Sequence, residues 1–253
     1  MTAKSRLPDR FTLRALERVA STNDEARRFA EDGAPAGLVV VAREQTRGRG
    51  RYGRSWTSPP GNLYASVLLR PDCTLAASAQ LSLVAGLALG EALAGLGPPD
   101  LAIALKWPND VLVNGAKTAG ILLESAARTD GRAGWVIVGS GVNIVSCPRD
   151  TPYPATCLVA EGFAPLEPLT LLEAYLGALD RWLGTWQAAG FAAVRGAWRA
   201  RSFGLGGEIR LRLEREELCG RFVDLTEGGA LLVEEAGGRR REIAAGEVFY
   251  PGR

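Results

Sequence analysis

Residues 110–125 read DVLVNGAKTAGILLES, two short apolar runs separated by Asn114-Gly115. Asn-Gly tolerates positive φ at both central positions of a two-residue turn, so this stretch reads as an antiparallel hairpin, Asp110–Val113 against Thr118–Ser125. The hairpin commits the chain to a sheet, and the rest of the pattern has to complete it. Phe11–Val19, Leu38–Ala42, Leu63–Leu69, Ile103–Trp107 and Trp135–Ile144 are bounded apolar or alternating runs of strand length. Ser21, Thr22 and Asn23 are good N-cap residues, and with Asp24 and Glu25 behind them they open a helix to about Glu31. Ala76–Leu96, Leu169–Ala189 and Phe191–Ser202 read as further helices. From Gly206 the texture changes to short strand-like pieces (EIRLRL, LCGRFVDL, ALLVEE, RREIAAGEV) between Gly-rich or charged turns, the pattern of a small barrel of about 50 residues. The boundary falls near Phe203–Gly207, giving expected domains 1–203 and 204–253.

Composition narrows the function classes. At 253 residues and a formal net charge of +2, the chain is large enough for a proper core and too close to neutral to imply a polyanion partner. Four scattered cysteines without a CxxC pair point to neither a zinc knuckle nor a disulfide framework, and a reducing cytoplasm is the expected compartment. The N-terminal stretch MTAKSRLPDRFTLRALERV lacks the apolar core of a secretory signal. The apolar run Leu81–Leu96, broken by Glu91 and glycines, reads as a buried helix rather than a membrane span of about 20 apolar residues. There is no histidine, so chemistry falls to Lys, Arg, carboxylates and backbone dipoles.

Three stretches carry that chemistry. QTRGRGRYGRSW, Gln45–Trp56, contains a GxGxxG pattern at Gly48, Gly50 and Gly53, but Ser55–Gly61 cannot open the helix that a dinucleotide site requires. The stretch reads either as a solvated basic loop or as an anion site, where glycines let the backbone close on a ligand, mobile until then, while Arg47, Arg49, Arg51 and Arg54 meet carboxylate or phosphate. LKWPNDVLVNGAKTAGILLE, Leu105–Glu124, contains a GAKT that fails the Walker A pattern, because Lys117 follows a hairpin turn. Strict alternation puts Lys117, Ala119, Ile121 and Leu123 on one face; Lys117 is then either a turn lysine returning to water or a sheltered cation beside Gly120. STND, Ser21–Asp24, and GSGVNI, Gly139–Ile144, decide nothing alone.

In this order and spacing, STN, QTRGRGRYGRSW, KWPND, KTAGILLE and GSGVNI resemble the biotin protein ligase family, over about Arg14–Ile144. The resemblance implies an α+β fold: a mixed β-sheet flanked by helices, similar to class II aminoacyl-tRNA synthetases and lipoate ligases, with a small C-terminal SH3-like β-barrel. Some members carry an N-terminal winged helix that represses transcription; with 20 residues ahead of Ser21, that role is not expected here. The implied reaction uses biotin, ATP and Mg²⁺: biotin's carboxylate attacks the α-phosphate, and a lysine of a biotin carboxyl carrier domain, as in acetyl-CoA carboxylase, then attacks the mixed anhydride. Carried onto matching positions, Ser21, Thr22, Asn23 and Gln45 would surround the uncharged ureido ring, with Gly120 and Ile121 offering backbone contacts. Arg49, Gly50 and Arg51 would close over biotin, and Lys117 would bridge carboxylate and α-phosphate. Arg54 would face pyrophosphate, and Trp56, Asn109 and Asn143 the nucleotide. Asp110 is the nominated carboxylate for the acceptor amine, and no protein metal ligand is expected.

Two rivals stay open. One is a lipoate or other acyl ligase with the same adenylating chemistry. The other is a nucleic-acid-binding module built on the arginine loop and the barrel, against which stand the near-neutral charge and the lack of aromatics beside the loop other than Tyr52 and Trp56. Neither nucleic acid nor membrane is expected as a partner, and monomer and homodimer are equally compatible with the chain.

Overall fold

The computed structural model describes residues 7–151 and 153–251, so the outermost residues of both expected domains and the first six of the N-terminal stretch lie outside the described residues. Seven strands form one sheet in the order β1-β2-β3-β7-β6-β5-β4. Strands β1 (Thr12–Val19) and β2 (Leu38–Gln45) are parallel and joined by helix α1 (Thr22–Glu31). The other pairings, through β3 (Leu63–Leu69), β4 (Ile103–Lys106), β5 (Asp110–Val113), β6 (Ala116–Ala127) and β7 (Ala133–Val142), are antiparallel. The sheet is therefore mixed, as expected. Asn114 and Gly115 carry φ of 50° and 80°, the doubly left-handed turn that joins β5 to β6.

Each face of the sheet is covered. On one side α1 seals Ala26 and Ala30 over Val40, Leu68 and Ile137. On the other lie α3 (Leu81–Leu96), α4 (Pro168–Ala189) and α5 (Phe191–Ala200). The expected helix over 76–96 is interrupted: a one-turn helix α2 (Leu75–Ser78), capped by Thr74 Oγ1 accepting from the Ala77 amide at 3.2 Å, precedes α3. α3 is apolar on all sides because it is buried on nearly all sides, between the sheet and α4. Gly86 and Gly90 face β4, where a Cβ on Gly90 would stand 3.4 Å from Leu105. Each of its fully buried leucines contributes about 1.5–3 kcal/mol.

The C-terminal segment forms a five-stranded antiparallel sheet, β11-β10-β9-β8-β12, from β8 (Glu208–Arg212), β9 (Glu217–Leu225), β10 (Leu231–Glu234), β11 (Arg240–Ile243) and β12 (Glu247–Phe249). The expected closed barrel is not observed, since β11 and β12 stand at opposite edges and do not pair. Its apolar face, Ile209, Leu211, Phe222, Leu225, Leu231 and Val248, joins the main core, so a partner surface fills the place that closure would have filled. Trp107, after β4, donates its indole N–H to the Gly229 carbonyl of the C-terminal segment (3.1 Å).

A β-bulge corrects the expected facing of Lys117. Leu112 pairs with Lys117 but Val111 pairs with Ala119, leaving Thr118 as the extra residue. Ala119 and Ile121 enter the core, while Lys117 turns to the opposite face with Gly120, whose added Cβ would lie 3.6 Å from Lys117 Nζ.

Candidate functional site

A cleft of about 420 Å³ opens over this face, within the usual range for small-molecule sites. The expected residues Ser21, Thr22, Asn23, Gln45, Arg49, Gly50, Arg51, Arg54, Trp56, Asn109, Asp110, Lys117, Gly120, Ile121 and Asn143 all line it. Residues far apart in the chain meet because the β1–α1 turn, the β2–β3 loop and the β5–β6 hairpin all project beyond one face of the sheet.

One end is neutral and buried. Ser21 occupies the N-cap position of α1 without capping it; the STN side chains turn inward instead. The Thr22 amide and hydroxyl donate to Gln45 Oε1 at 2.8 and 3.1 Å, and Gln45 Nε2 donates to Ser58 Oγ at 3.0 Å. Ser66 Oγ lies 2.6 Å from Asn23 Oδ1 and 2.8 Å from Thr22 Oγ1. Ser66 and Ser58 were not expected here; only their contacts across the sheet reveal them. GSGVNI supplies the floor: a Cβ on Gly139 would meet Asn23 Oδ1 at 2.2 Å, and one on Gly141 would meet Trp56 Nε1 at 2.6 Å. That indole N–H is buried against Gly141 without a hydrogen-bond partner.

The other end is charged. Lys117 Nζ pairs with Asp110 Oδ1 at 2.7 Å and lies 5.6 Å from the centre of the Trp56 ring. Lys106, which the expected set left out, is only 8% exposed and stands over the Tyr153 ring at 4.1 Å. Burial pulls its ammonium below the usual lysine range, with Asp110 opposing.

Much of the arginine loop is engaged by the protein itself. It folds as a tight hairpin, with Gly50 N–H donating to Arg54 O (2.7 Å), Trp56 N–H donating to Gly48 O (2.9 Å), and Tyr52 and Gly53 left-handed at its tip. Arg49 donates to both oxygens of Asp24 at 2.7 Å and to Glu124 Oε1 at 3.0 Å, and Glu124 also accepts from Arg27. Arg51 donates to the Gly246 carbonyl at 3.2 Å. Arg54 donates to Glu247 Oε2 at 2.6 Å, and Tyr153 donates to the same carboxylate. Burial and the Glu247 charge push the Tyr153 hydroxyl up to about 12. Two asparagines are likewise committed: Asn109 Nδ2 donates to the Ile121 carbonyl (2.7 Å) and its own carbonyl accepts the Ile121 N–H (2.8 Å), while Asn143 Nδ2 donates to Thr156 O at 3.1 Å. Their side chains frame the hairpin and the 143–156 segment.

The Arg49 cluster has a pH signature. The hydrogen bond from Arg49 holds the Asp24 carboxyl below its ordinary value; burial would raise that of Glu124, but Arg27 and Arg49 outweigh it. A depressed carboxyl contributes stability that is present above the unfolded pKa, about 4, and is lost as pH falls through the lower folded value. Bidentate geometry, screened at a site one-third exposed, is worth about 1 kcal/mol. The thermal midpoint of the native chain is therefore expected to fall more steeply between about pH 5 and 3 than that of Asp24→Asn, measured by calorimetry at each pH. Parallel curves would show that the cluster adds no stability.

Comparison with known proteins places this geometry. A family model described as the biotin/lipoate A/B protein ligase family matches residues 54–200, and one described as the biotin protein ligase C terminal domain matches residues 204–250. A biotin–[acetyl-CoA-carboxylase] ligase of Paracoccus denitrificans is 41% identical over 94% of this chain and 100% of its own. The structure of biotin protein ligase from Aquifex aeolicus in complex with biotin and ATP superposes with a TM-score of 0.80 at 32% identity, covering 94% of this chain and 97% of that one. Biotin protein ligase from Leishmania major in complex with biotinyl-5-AMP gives a TM-score of 0.65 at 32% identity, over 92% and 99% of the two chains. With the cleft, its floor of glycines and both segments of the chain matched, this protein belongs to the biotin/lipoate A/B protein ligase family.

Proposed function

We propose that the cleft joins biotin to ATP and passes the biotinyl group to a protein lysine. The chain is an ATP-dependent biotin protein ligase. The observation that carries this reading is the meeting, in one cleft, of a neutral buried hydrogen-bonding end and a cationic end, with an unpartnered indole donor between them. Ser21, Thr22, Asn23 and Gln45 take the ureido ring, whose uncharged donors and acceptors suit short neutral side chains. Gly120 and Ile121 line the ring's path with main chain. Lys117 leaves Asp110 for the biotin carboxylate and the α-phosphate, where it stabilises charge as it develops. A carboxylate oxygen then attacks the α-phosphorus, the bond to the β-phosphate bridge breaks, and pyrophosphate leaves past Arg54. Arg51 and Trp56 cover the adenylate, while Arg49, Asn109 and Asn143 hold the walls in place. Closing the loop keeps water from the anhydride.

Among the described residues no three His, Cys, Asp or Glu side chains gather as a metal cage. Mg²⁺ therefore fits as a companion of the triphosphate oxygens, and no step is assigned to it. The acceptor is the lysine of a biotin carboxyl carrier domain, as the name of the Paracoccus denitrificans relative suggests. We divide the chain into a catalytic domain, 1–203, and a C-terminal domain, 204–253, read as SH3-like with its sheet left open; Gly204 and Gly206, both at positive φ, form the joint. All four cysteines are free, which agrees with a reducing cytoplasm.

Purified protein is expected to catalyse biotin-dependent exchange of labelled pyrophosphate into ATP. Exchange supported by lipoate and not by biotin would overturn the assignment.

A further inference from the structure

Asn62 stands where the β2–β3 loop enters β3, and only 3% of it is exposed. Its amide is taken up by the chain that leaves β7. Oδ1 accepts the main-chain N–H groups of Ile144, Val145 and Ser146 at 2.9, 2.9 and 3.3 Å, while Nδ2 donates to the Ser146 carbonyl at 2.9 Å and to Ser146 Oγ at 3.4 Å. A carbonyl oxygen has two lone pairs and an amide nitrogen two protons, so the group has no capacity left for a ligand. Gly61, left-handed at φ 96°, lets Val145 pack down on the end of the loop: a Cβ there would stand 2.6 Å from Val145 Cγ2. The clasp closes a reversal of the chain. On the carbonyl side of the same turn, Leu158 N–H donates to Asn143 O and Val159 N–H to Ile144 O, both at 3.0 Å. Between the two arms lie Pro148, Asp150, Thr151, Tyr153 and Ala155, which line the cleft. The returning arm pairs with the main chain of Lys117, whose N–H donates to Pro154 O at 2.8 Å and whose carbonyl accepts from Thr156 N–H at 3.0 Å.

We propose that Asn62 is a positioning residue for the nucleotide: without touching ATP, its amide fixes the turn 144–146 and thereby the wall of the cleft that begins at Asn143. The inference rests on the ligase reading given above, which puts the nucleotide against that wall. Three successive N–H groups point into one buried spot, and buried amides without an acceptor are costly. When the Asn62 oxygen is removed, the turn must rearrange to satisfy them, and that rearrangement starts one residue from Asn143. Asn143 is itself held from the other arm, by its N–H on Thr118 O at 2.9 Å and its Nδ2 on Thr156 O at 3.1 Å, so a shift of the turn pulls against both bonds. The neutral end of the cleft is built separately. Thr22, Asn23 and Gln45 are bonded to one another and to Ser58 and Ser66, and none of those bonds passes through Asn62 or the turn it clasps. Loss of the clasp is therefore felt by ATP and not by biotin. A carboxylate in the same place keeps an acceptor before the three N–H groups, a concave arrangement that favours an anion, and gives up only the bonds to Ser146 O and Oγ.

The test uses the full chain and pyrophosphate exchange, with ATP and biotin varied in turn, well below the thermal midpoint of each variant. Asn62→Ala is expected to raise the KM for ATP by about ten-fold and to leave the KM for biotin within about two-fold of the native value. A merely structural residue would behave differently, because unfolded molecules lower the apparent kcat and move neither KM. Asn62→Asp is expected to return the KM for ATP to within about three-fold of native, since the acceptor is restored. The proposal is overturned if Asn62→Ala leaves the KM for ATP unchanged, if both KM values rise together, or if Asn62→Asp is as impaired as Asn62→Ala. Should Asn62→Ala not fold, amide hydrogen exchange on the unmodified chain decides: Ile144 and Val145 N–H should be protected about a hundred-fold or more before any ATP is added, and free exchange there would show that the clasp is not formed in advance. Absence of biotin-dependent pyrophosphate exchange in the unmodified protein is a different failure, that of the ligase reading itself, and the amide measurement still reports on the clasp.

Discussion

Replacing Lys117 by alanine is expected to lower biotin-dependent pyrophosphate exchange by about 10²–10³-fold, the usual effect of removing one preorganised stabiliser of developing charge. The step brings a carboxylate against a triphosphate, so its barrier is dominated by the mutual repulsion of two anions. In the described residues of the cleft the other cations are held by the protein: Arg49 by Asp24 and Glu124, Arg51 by the Gly246 carbonyl, Arg54 by Glu247, and Lys106 buried over the Tyr153 ring. Lys117 is paired too, with Asp110 at 2.7 Å, but it stands beside Gly120 and Trp56 in the cleft with its side chain 28% exposed. The fold should tolerate the change because Lys117 is outside the core and Lys106 remains to compensate Asp110. Arginine is not expected to restore activity, since a planar fork cannot occupy the position of a compact ammonium packed beside Gly120 and Trp56. The checks are exchange kinetics together with calorimetric unfolding. Wild-type exchange in Lys117→Ala would show that another group supplies the charge.

Only part of the surroundings of Lys117 can be read from the sequence alone. The Asn114-Gly115 turn, the strand runs around it and the buried α3 are readable because their causes are local: positive φ at two adjacent residues, alternation, and an apolar run too evenly apolar for a surface helix. The bulge at Thr118 is not local in that sense. It exists because Lys117 also pairs, through its main chain, with Pro154 and Thr156 some forty residues away, and no alternation rule contains that contact. STN reads equally well as a cap or as a ligand set; only the packing of α1 against β3, which brings Ser66 beneath Asn23, decides that the side chains turn inward. Likewise the basic loop is visible as four arginines among glycines, but that Asp24, Glu124 and Glu247 take two of them requires three elements to meet. Glu247 lies in the C-terminal sheet and carries no motif of its own. Barrel closure failed as an expectation for a related reason: strand count and turn chemistry are local, whereas the surface that replaces closure belongs to the main core.

Gly139→Ala should raise the KM for biotin by about ten- to a hundred-fold, with overpacking costing about 1–3 kcal/mol of stability. Gly139 needs no unusual backbone, so its requirement is purely one of space. A Cβ there would stand 2.2 Å from Asn23 Oδ1, 2.9 Å from Cγ and 3.0 Å from Nδ2. Asn23 cannot yield cheaply: it is short, 3% exposed, fixed in the first turn of α1, and held by Ser66. Accommodation must therefore move α1 or rotate the amide, and either disturbs the end of the cleft assigned to the ureido ring. Gly95→Ala serves as the control, because nothing lies within 4 Å of a Cβ at that helical position, and alanine there should stabilise by about 0.5–1 kcal/mol. The double variant Asn23→Ala/Gly139→Ala separates the two consequences. Removing the amide relieves the clash, so stability should return above that of Gly139→Ala alone, while biotin affinity stays low because the hydrogen-bonding group is gone. If the double variant regained affinity along with stability, Asn23 would be a spacer rather than a ligand, and the neutral end of the cleft would have to be reassigned.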